Sequence, residues 1–403
     1  MARTDSLTNF LTDVAESIRT KEGTTEQISA SEFDTRIANL PSGTTAPEKG
    51  ITINNWTTLT YTSTGTTATY ATDVTVIGMT EIGDGAFANT GSESGSIISL
   101  YLKNITMPDD IVKIGEKAFY YCSKLTLSTL PNSVTQIGVS AFENCNQLAI
   151  TSLPEGLTYI GKRAFNNCSN IVLTSLPESI TALYDYTFSG CEKIKLSSLP
   201  KGITSVGSHV FENCDGITSF IWPETITKLD DNTFYRCENL ASIELPSTLT
   251  FIGSSAFYEC KKLVLTELPS GLTTIEDNAF FKCEKVALTE LPSGITEICM
   301  SILSGCTNVS TLTCLGDITR INSYAFKNTN LSKLVLPNIT SVPTLYSSVF
   351  DNTPIANGTG YIYVPDTLVG SFKSATNWST YADQIKPISE LDDDDVVSGG
   401  DSN

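Results

Sequence analysis

Phenylalanine recurs along most of the chain at a fixed spacing. Ten positions between residues 119 and 326 stand 23 residues apart, and nine of them are phenylalanine. They are Phe119, Phe142, Phe165, Phe188, Phe211, Phe234, Phe257, Phe280, Leu303 and Phe326. Phe87 precedes the series, separated from it by an insertion, and Phe350 follows one residue late. One large apolar position per 23-residue repeat predicts a solenoid, in which each repeat buries its apolar side against the next.

Proline and threonine follow the same period. We call a set of equivalent positions in successive repeats a column. The proline column runs from Pro108 to Pro292 and the threonine column from Thr135 to Thr319. Aliphatic residues precede each proline, as in Leu125–Leu130. Because proline cannot donate to a strand ladder, we predict one short strand before each proline, and these strands would form a parallel sheet.

One repeat carries a complete motif. The segment Leu240-Ala-Ser-Ile243-Glu-Leu245-Pro246, followed by Ile252-Gly253, Ala256-Phe257 and Cys260, resembles the repeat of the BspA-like leucine-rich repeat family. The resemblance covers about residues 80–355 and implies a β-rich, parallel-sheet leucine-rich-repeat array. In most other repeats, such as Leu125–Pro131, the middle aliphatic residue stands one place earlier. This shift leaves the register of those predicted strands open.

Nine of the eleven cysteines form a column of their own. They are Cys122, Cys145, Cys168, Cys191, Cys214, Cys237, Cys260, Cys283 and Cys306. The sequence has no closely spaced pair of the kind that binds zinc. Stacked equivalent side chains also point the same way, which suits a disulfide poorly. We therefore predict buried free thiols that pack as small apolar residues, consistent with a reducing compartment.

The sequence offers little catalytic chemistry. Its only histidine, His209, has no nucleophile motif beside it, and we predict a surface histidine. Phosphate-binding loops, zinc-protease motifs and calcium loops are absent. Carboxylate pairs such as Asp230 and Asp231 are ordinary on a solenoid surface. We therefore expect no enzyme, with no catalytic, cofactor or metal residues.

Charge and hydropathy narrow the partners further. The net charge of −19 repels phosphate backbones, so we expect neither nucleic acid nor anionic membrane surfaces as partners. No stretch approaches the roughly 20 apolar residues that span a bilayer, so we expect no membrane insertion. The N-terminus lacks the apolar core of a secretory signal, which predicts synthesis in the cytoplasm.

The two ends of the chain depart from the repeat. We predict an N-terminal helical attachment segment over 1–40, a linker over 41–50 and a strand-forming cap over 51–79. The solenoid then covers 80–355, and a strand and helix over 356–391 form a C-terminal cap. Residues 392–403 are expected to be a disordered acidic tail. One face of the first helix is apolar, and its residues are Leu7, Phe10, Leu11, Val14 and Ile18.

The N-terminal segment has a resemblance of its own. LTNFLTDVAESIRTKEGTTEQISASEFDTRIANL is similar to the start of phage structural proteins. That resemblance implies attachment to other virion proteins, often in an oligomer, whereas the alternative is a simple helical cap. The interpretation that follows is a non-catalytic phage virion protein, of the tail or head-fibre type, that binds a host surface protein or glycan. The alternative is a BspA-like adhesin on the bacterial cell surface.

Two surfaces are candidates for ligand binding. The residue after the phenylalanine column is aromatic in three successive repeats: Tyr235, Tyr258 and Phe281. Stacked, they would form an aromatic ridge about 10 Å long, and Trp222 adds an irregular aromatic position. The positions before the prolines are rich in serine and threonine, with Glu267 and Glu290 in later repeats. For both surfaces the alternative is packing between repeats.

Overall fold

A computed structural model of the chain describes residues 50–60, 67–88 and 101–391. The chain divides into two compact units, Met1–Ile217 and Thr218–Asn403. Both are built as β-solenoids from parallel-paired repeats of about 23 residues. The predicted N-terminal helices, the linker and the acidic tail lie outside the described residues. No helix in the described part of the chain has the length and apolar character needed to cross a bilayer.

The first unit begins with a hairpin. Two long strands pair antiparallel, and the second also pairs in parallel with the fourth strand. The hairpin falls within the segment predicted to form strands ahead of the solenoid. The strands of this unit are β1 (Gly50–Thr60), β2 (Thr67–Ile77), β3 (Glu81–Ile82), β4 (Asn104–Thr106), β5 (Lys113–Ile114), β6 (Gln136–Ile137), β7 (Tyr159–Ile160), β8 (Ala182–Leu183) and β9 (Ser205–Val206).

The second unit carries two sets of parallel strands. One set precedes the proline column and the other follows it, and a short helix, α1 (Val369–Ser374), lies near the end of the unit. The strands are β10 (Ser219–Ile221), β11 (Lys228–Leu229), β12 (Ser242–Glu244), β13 (Phe251–Ile252), β14 (Thr274–Ile275), β15 (Glu290–Leu291), β16 (Glu297–Ile298), β17 (Thr311–Cys314), β18 (Arg320–Ile321), β19 (Lys333–Val335), β20 (Thr344–Leu345), β21 (Tyr361–Val364) and β22 (Ile385–Pro387). Three 3-10 helices, Asp366–Leu368, Trp378–Tyr381 and Ile388–Glu390, complete it.

The strand predicted at Leu125–Leu130 is wrong. No strand forms there, and the strand of that repeat is β6, which follows the proline. In the predicted segment the exposed Ser128 and Thr129 stand side by side, which breaks the alternation that a strand requires. Where the motif is complete, as at β12, a strand does form before the proline. The sequence shift alone does not decide the pairing, because β15 precedes Pro292 in a repeat that carries the same shift.

The segment around each phenylalanine forms a further ladder. Its backbone N–H groups donate to the next repeat: Lys117 to the Val139 carbonyl at 2.8 Å and Phe119 to that of Ala141 at 2.7 Å. Residues two before and two after the phenylalanine have positive φ, such as 53° at Lys117. The N–H of Gly138, beside β6, donates instead to Ile114 of the preceding repeat. Backbone hydrogen bonds thus run forward on one side of a repeat and backward on the other.

The phenylalanine and cysteine columns form the core, as predicted. Every phenylalanine of the series, and the Leu303 that replaces one, is buried. In the first unit neighbouring rings stack, with centroids 5.1 Å apart for Phe119 and Phe142. The nine cysteines are free and buried. Each Sγ with a described partner donates to a phenylalanine carbonyl one repeat earlier, as Cys145 does to Phe119 at 3.0 Å.

Aromatic side chains close the last repeat of the second unit. Trp378 and Phe372 are buried, and their ring centroids are 4.7 Å apart. The Trp378 indole lies 6.4 Å from the Phe350 ring and donates a hydrogen bond of 2.7 Å to the Pro343 carbonyl. The terminal strand and helix predicted from the sequence therefore cover the end of the phenylalanine column.

Candidate functional site

The aromatic ridge of Tyr235, Tyr258 and Phe281 is present in the second unit. The rings stack nearly face to face, at 4.7 Å between Tyr235 and Tyr258 and at 4.7 Å between Tyr258 and Phe281. All three side chains are half-buried. The ridge forms because these residues follow the phenylalanine column directly, so successive repeats place them above one another.

An ion triad lies beside the ridge. Glu259 is 8% exposed, and its carboxylate accepts hydrogen bonds of 3.1 Å each from Arg236 and Lys282 in the flanking repeats. Burial raises the pKa of Glu259, but the charges of Lys282 and Arg236 outweigh it and hold that pKa below its ordinary value. The sequence analysis did not find this triad, because its members lie one full repeat apart.

The stacking determines what the ridge can contact. The faces of Tyr258 are covered by its two neighbours, and the cationic groups of Arg236 and Lys282 lie 5.4 Å and 5.2 Å from the ring centroids of Tyr235 and Phe281. The rings therefore present mainly their edges and their phenol groups. A sugar ring packs on an open aromatic face, so this geometry favours a protein partner over a glycan.

Trp222 is not a surface residue. Its side chain is only 3% exposed and packs against Phe220 and Phe234, with ring centroids 5.3 Å and 5.9 Å away. It replaces the leucine that precedes proline in other repeats, so it points into the core as that leucine does. Its indole Nε1 has no hydrogen-bond partner among the described residues.

The positions before the prolines form a polar groove in the second unit. Two adjoining grooves of about 470 and 290 Å³ share Thr266, Glu267 and Leu268 in their walls. Glu244, Glu267 and Glu290 occupy the same position in three successive repeats. In the part of the chain that the structure describes, no three acidic, histidine or cysteine side chains are grouped so that they could hold a metal ion.

The equivalent positions in the first unit carry hydroxyls. Thr126, Ser128, Thr151, Ser152, Thr174, Ser175, Ser197 and Ser198 are all exposed. Among the described residues, Thr126 alone of this set makes side-chain hydrogen bonds to a neighbouring repeat, to the Lys103 carbonyl at 3.1 Å and the Asn104 amide oxygen at 2.9 Å. This face is thus an open hydroxyl surface rather than a ladder of side-chain hydrogen bonds.

His209 is not the plain surface residue that the sequence suggested. It is partly buried, its ring stacks on Tyr186 at 4.2 Å, and its Nδ1 lies 2.7 Å from a Glu212 carboxylate oxygen. The guanidinium group of Arg163 lies 4.8 Å from the centroid of the same Tyr186 ring. The three side chains belong to one column of left-handed residues, so they stack as the ridge does.

Sequence analysis also missed two exposed tyrosines in the first unit. Tyr159 and Tyr184 are 37% and 43% exposed, and their ring centroids are 5.6 Å apart. The available signal was the tyrosine at 184, where neighbouring repeats have glycine. The predicted attachment residues Leu7, Phe10, Leu11, Val14 and Ile18 lie outside the described residues.

Comparison with known proteins gives one family match. The model of the BspA type leucine rich repeat region matches residues 112–241 and 227–356, in six copies. No curated protein matches the chain.

Similar solved structures come from bacteria. A leucine-rich repeat protein from Bacteroides ovatus is 21% identical with a TM-score of 0.57, and the alignment covers 84% of this chain and 99% of that protein. The pneumococcal vaccine antigen PcpA is 19% identical with a TM-score of 0.47, covering 81% and 80%. A leucine rich cell surface protein from Faecalibacterium prausnitzii is 20% identical with a TM-score of 0.42, covering 78% and 93%.

Proposed function

The chain belongs to the BspA-type leucine-rich repeat family, and from that premise we propose that it is a non-catalytic binding protein of the bacterial cell surface. BspA-like leucine-rich repeat proteins are bacterial cell-surface proteins, and stacked repeats offer extended surfaces that suit binding. The fold of the Bacteroides ovatus protein supports the same architecture. The adhesin alternative from the sequence analysis is thus the proposal.

The observation that carries the proposal is the ridge with its ion triad. The repeated phenylalanine, cysteine and proline columns are accounted for by stacking, which leaves the outward positions for recognition. Tyr235, Tyr258 and Phe281 stand there in line, beside the charges of Arg236 and Lys282. Tyrosine and arginine are enriched where protein interfaces concentrate their binding energy. The proposed partner at this site is therefore a protein on another cell's surface.

The phage interpretation is not carried forward. It depends on residues 1–40, which lie outside the described residues, and the relatives named above are bacterial proteins. Virion partners and an oligomer stay predictions. Localisation is the property that separates the two interpretations.

Localisation can be tested on the bacterium that carries the gene. Antibodies against the purified chain should label intact cells, and brief protease treatment of those cells should remove the label. A cytoplasmic protein, reached only after permeabilisation, serves as the control. Label confined to permeabilised cells, or to purified phage particles, would contradict the proposal.

The binding site can be tested with a matched pair of variants. Tyr258→Ala removes the central ring of the ridge, and we expect at least a tenfold loss of affinity for protease-sensitive sites on host cells. Tyr324→Ala removes a tyrosine that is 40% exposed outside the ridge and should bind as the wild type does. Flow cytometry of labelled protein gives both values. Equal binding by the two variants would exclude the ridge.

A further inference from the structure

Tyr184 interrupts a column of glycines. The equivalent positions are Gly138 and Gly161 in the preceding repeats and Gly207 in the following one. The ring of Tyr184 therefore has no side chain of its own column on either side. Tyr159 beside it is tilted by 54°, so the two rings do not cover each other as the ridge rings do.

The tyrosine stands where the fold favours glycine. A Cβ at Gly161 would lie 2.6 Å from the Val139 nitrogen, which is closer than real Cβ contacts. Parallel pairing runs through β3, β5, β6 and β7, and β8, which Tyr184 follows, pairs only with β9 among the described strands of this unit. A side chain at 184 thus coincides with a gap in the strand ladder. Stability gives no reason for an exposed ring at this position.

Polar side chains stand next to the two tyrosines without adding net charge: Asp185 follows Tyr184 in the chain, and Lys162 lies three residues after Tyr159. Lys162 donates a hydrogen bond of 2.8 Å to Asp185, which neutralises both. That hydrogen bond also holds the pKa of Asp185 below its ordinary value. Gln136 lies beside Tyr159 in the ladder, and its amide is exposed. The surface therefore combines two exposed tyrosine rings with both donors and acceptors.

We propose that Tyr159 and Tyr184 form a stacking platform for the pyranose rings of a neutral glycan. The C–H groups on one side of a pyranose pack on an aromatic face, and its hydroxyls need donors and acceptors at the rim. Gln136, Lys162 and Asp185 supply these. The net charge of −19 repels acidic polysaccharides, which is why the ligand is neutral. This is a second site, distinct from the ridge of the other unit.

The experiment is native electrophoresis of the full chain through gels that contain soluble neutral polysaccharides. The probes are mixed-linkage β-glucan, xyloglucan, galactomannan and amylopectin, one in each gel. We expect at least one of them to retard the wild-type protein. Tyr184→Gly and Tyr159→Ala should each raise the dissociation constant for that polysaccharide at least tenfold. Tyr184→Gly introduces the residue that neighbouring repeats already carry, so the fold is retained, and circular dichroism checks this.

The matched control is Tyr346→Gly. Tyr346 occupies the same position of its repeat and is 45% exposed, but no aromatic ring pairs with it in the part of the chain that the structure describes. It should be retarded like the wild type. Wild-type protein that none of the four gels retards would overturn the proposal, as would unchanged binding by Tyr184→Gly. A further outcome would also overturn the proposal. If the wild type still bound deglycosylated host cells and Tyr184→Gly did not, the ligand would be a protein. None of these results bears on surface localisation, which the antibody experiment tests.

Discussion

The thiols of the cysteine column pack in the apolar core and also donate hydrogen bonds. Cys168, for example, donates to the Phe142 carbonyl at 3.0 Å while its side chain is fully buried. Alanine would leave a small void in place of the sulfur and would also leave that carbonyl with one partner fewer. Burial raises the pKa of the Cys168 thiol well above its ordinary value, so the thiol stays protonated and unreactive near neutral pH.

The glycine column predicts how much stability the addition of a single Cβ atom would cost. In Gly138→Ala the new Cβ would lie 2.6 Å from the Glu116 nitrogen, in rigid backbone. We expect this variant to lose about 1–3 kcal/mol of unfolding free energy. The control is Gly156→Ala, whose Cβ meets nothing within 4 Å and should be neutral or stabilising by about 0.4–1 kcal/mol. Urea unfolding measures both, and equal stabilities would contradict the packing argument.

At this scale the sequence predicted burial well and backbone conformation poorly. The phenylalanine and cysteine columns carry the same side chain in repeat after repeat, so the core was evident. The left-handed columns carry no common side chain: one of them contains Lys117, Ser140 and Arg163 in turn. Glycine and asparagine signal such a conformation, and they stand in these columns in some repeats only. The left-handed conformation is imposed by the hydrogen bonds to the next repeat, and the sequence of a single repeat does not show these bonds.

Between repeats, the aspartates that follow many of the strands act as backbone acceptors. Asp231 accepts a hydrogen bond of 2.9 Å from the Ser254 N–H, and Asp277 one of 2.8 Å from that of Met300. Each bond joins a carboxylate to the repeat that follows. The carboxylate pairs that the sequence marked as ordinary surface groups, such as Asp230 and Asp231, therefore include members that hold neighbouring repeats together.

The ion triad predicts how one carboxylate contributes to stability. Glu259→Gln removes the charge that Arg236 and Lys282 share, and we expect a loss of about 1 kcal/mol at pH 7, because both cations are half exposed. The pKa of Glu259 is lowered in the fold. Its contribution is therefore present above the unfolded value of 4.5 and disappears as pH falls through the lower folded value. Thermal unfolding measured from pH 7 downwards should show the difference from the wild type shrink as the pH falls below 4.5.

The matched control carries the same substitution in the glutamate column. Glu267 has like charges at equivalent positions in both neighbouring repeats, Glu244 and Glu290, and like charges at neighbouring positions repel each other. Glu267→Gln should therefore leave the unfolding temperature unchanged or raise it at pH 7. A lower unfolding temperature than that of Glu259→Gln would contradict this assignment.

Strand positions were only partly accessible to sequence. The spacing of aliphatic residues identified which side chains point inward, and Leu125 and Leu130 are indeed buried. It did not reveal which backbone segments pair, because a buried aliphatic residue can lie either in a strand or in an irregular loop. In the shifted repeats the pairing before the proline varies: Leu125–Leu130 forms no strand, whereas β15 does form before Pro292.

The whole array depends on how its last repeat is covered. Trp378 is 1% exposed and packs on Phe350 and Phe372. Trp378→Ala should cost about 3–5 kcal/mol and expose the end of the phenylalanine column, which promotes association. Size-exclusion chromatography and thermal unfolding measure both effects. As a control, Phe281→Ala truncates a half-buried ring of the ridge and should remain monomeric. A monomeric Trp378→Ala with unchanged stability would show that the terminal helix is dispensable.

For the functional site, the sequence located the ridge but did not show which parts of its rings are accessible. Three aromatic residues in consecutive repeats were enough to predict stacking, and the structure shows it at 4.7 Å. The sequence did not show that stacking covers the ring faces, since that depends on ring orientation. Tyr184 passed unnoticed for the opposite reason: its importance lies in the glycines around it rather than in a repeated residue.

The forward direction of the hydrogen bonds around the phenylalanines has a consequence for synthesis. Lys117, Phe119 and Tyr121 donate to carbonyls at 139, 141 and 143, residues that leave the ribosome later. A nascent chain therefore always ends in a repeat whose donors await acceptors that have not yet been translated. Until the terminal helix emerges, the unpaired N–H groups of the last repeat can donate to any exposed row of backbone carbonyls. Such a row includes that of a neighbouring nascent chain on the same polysome.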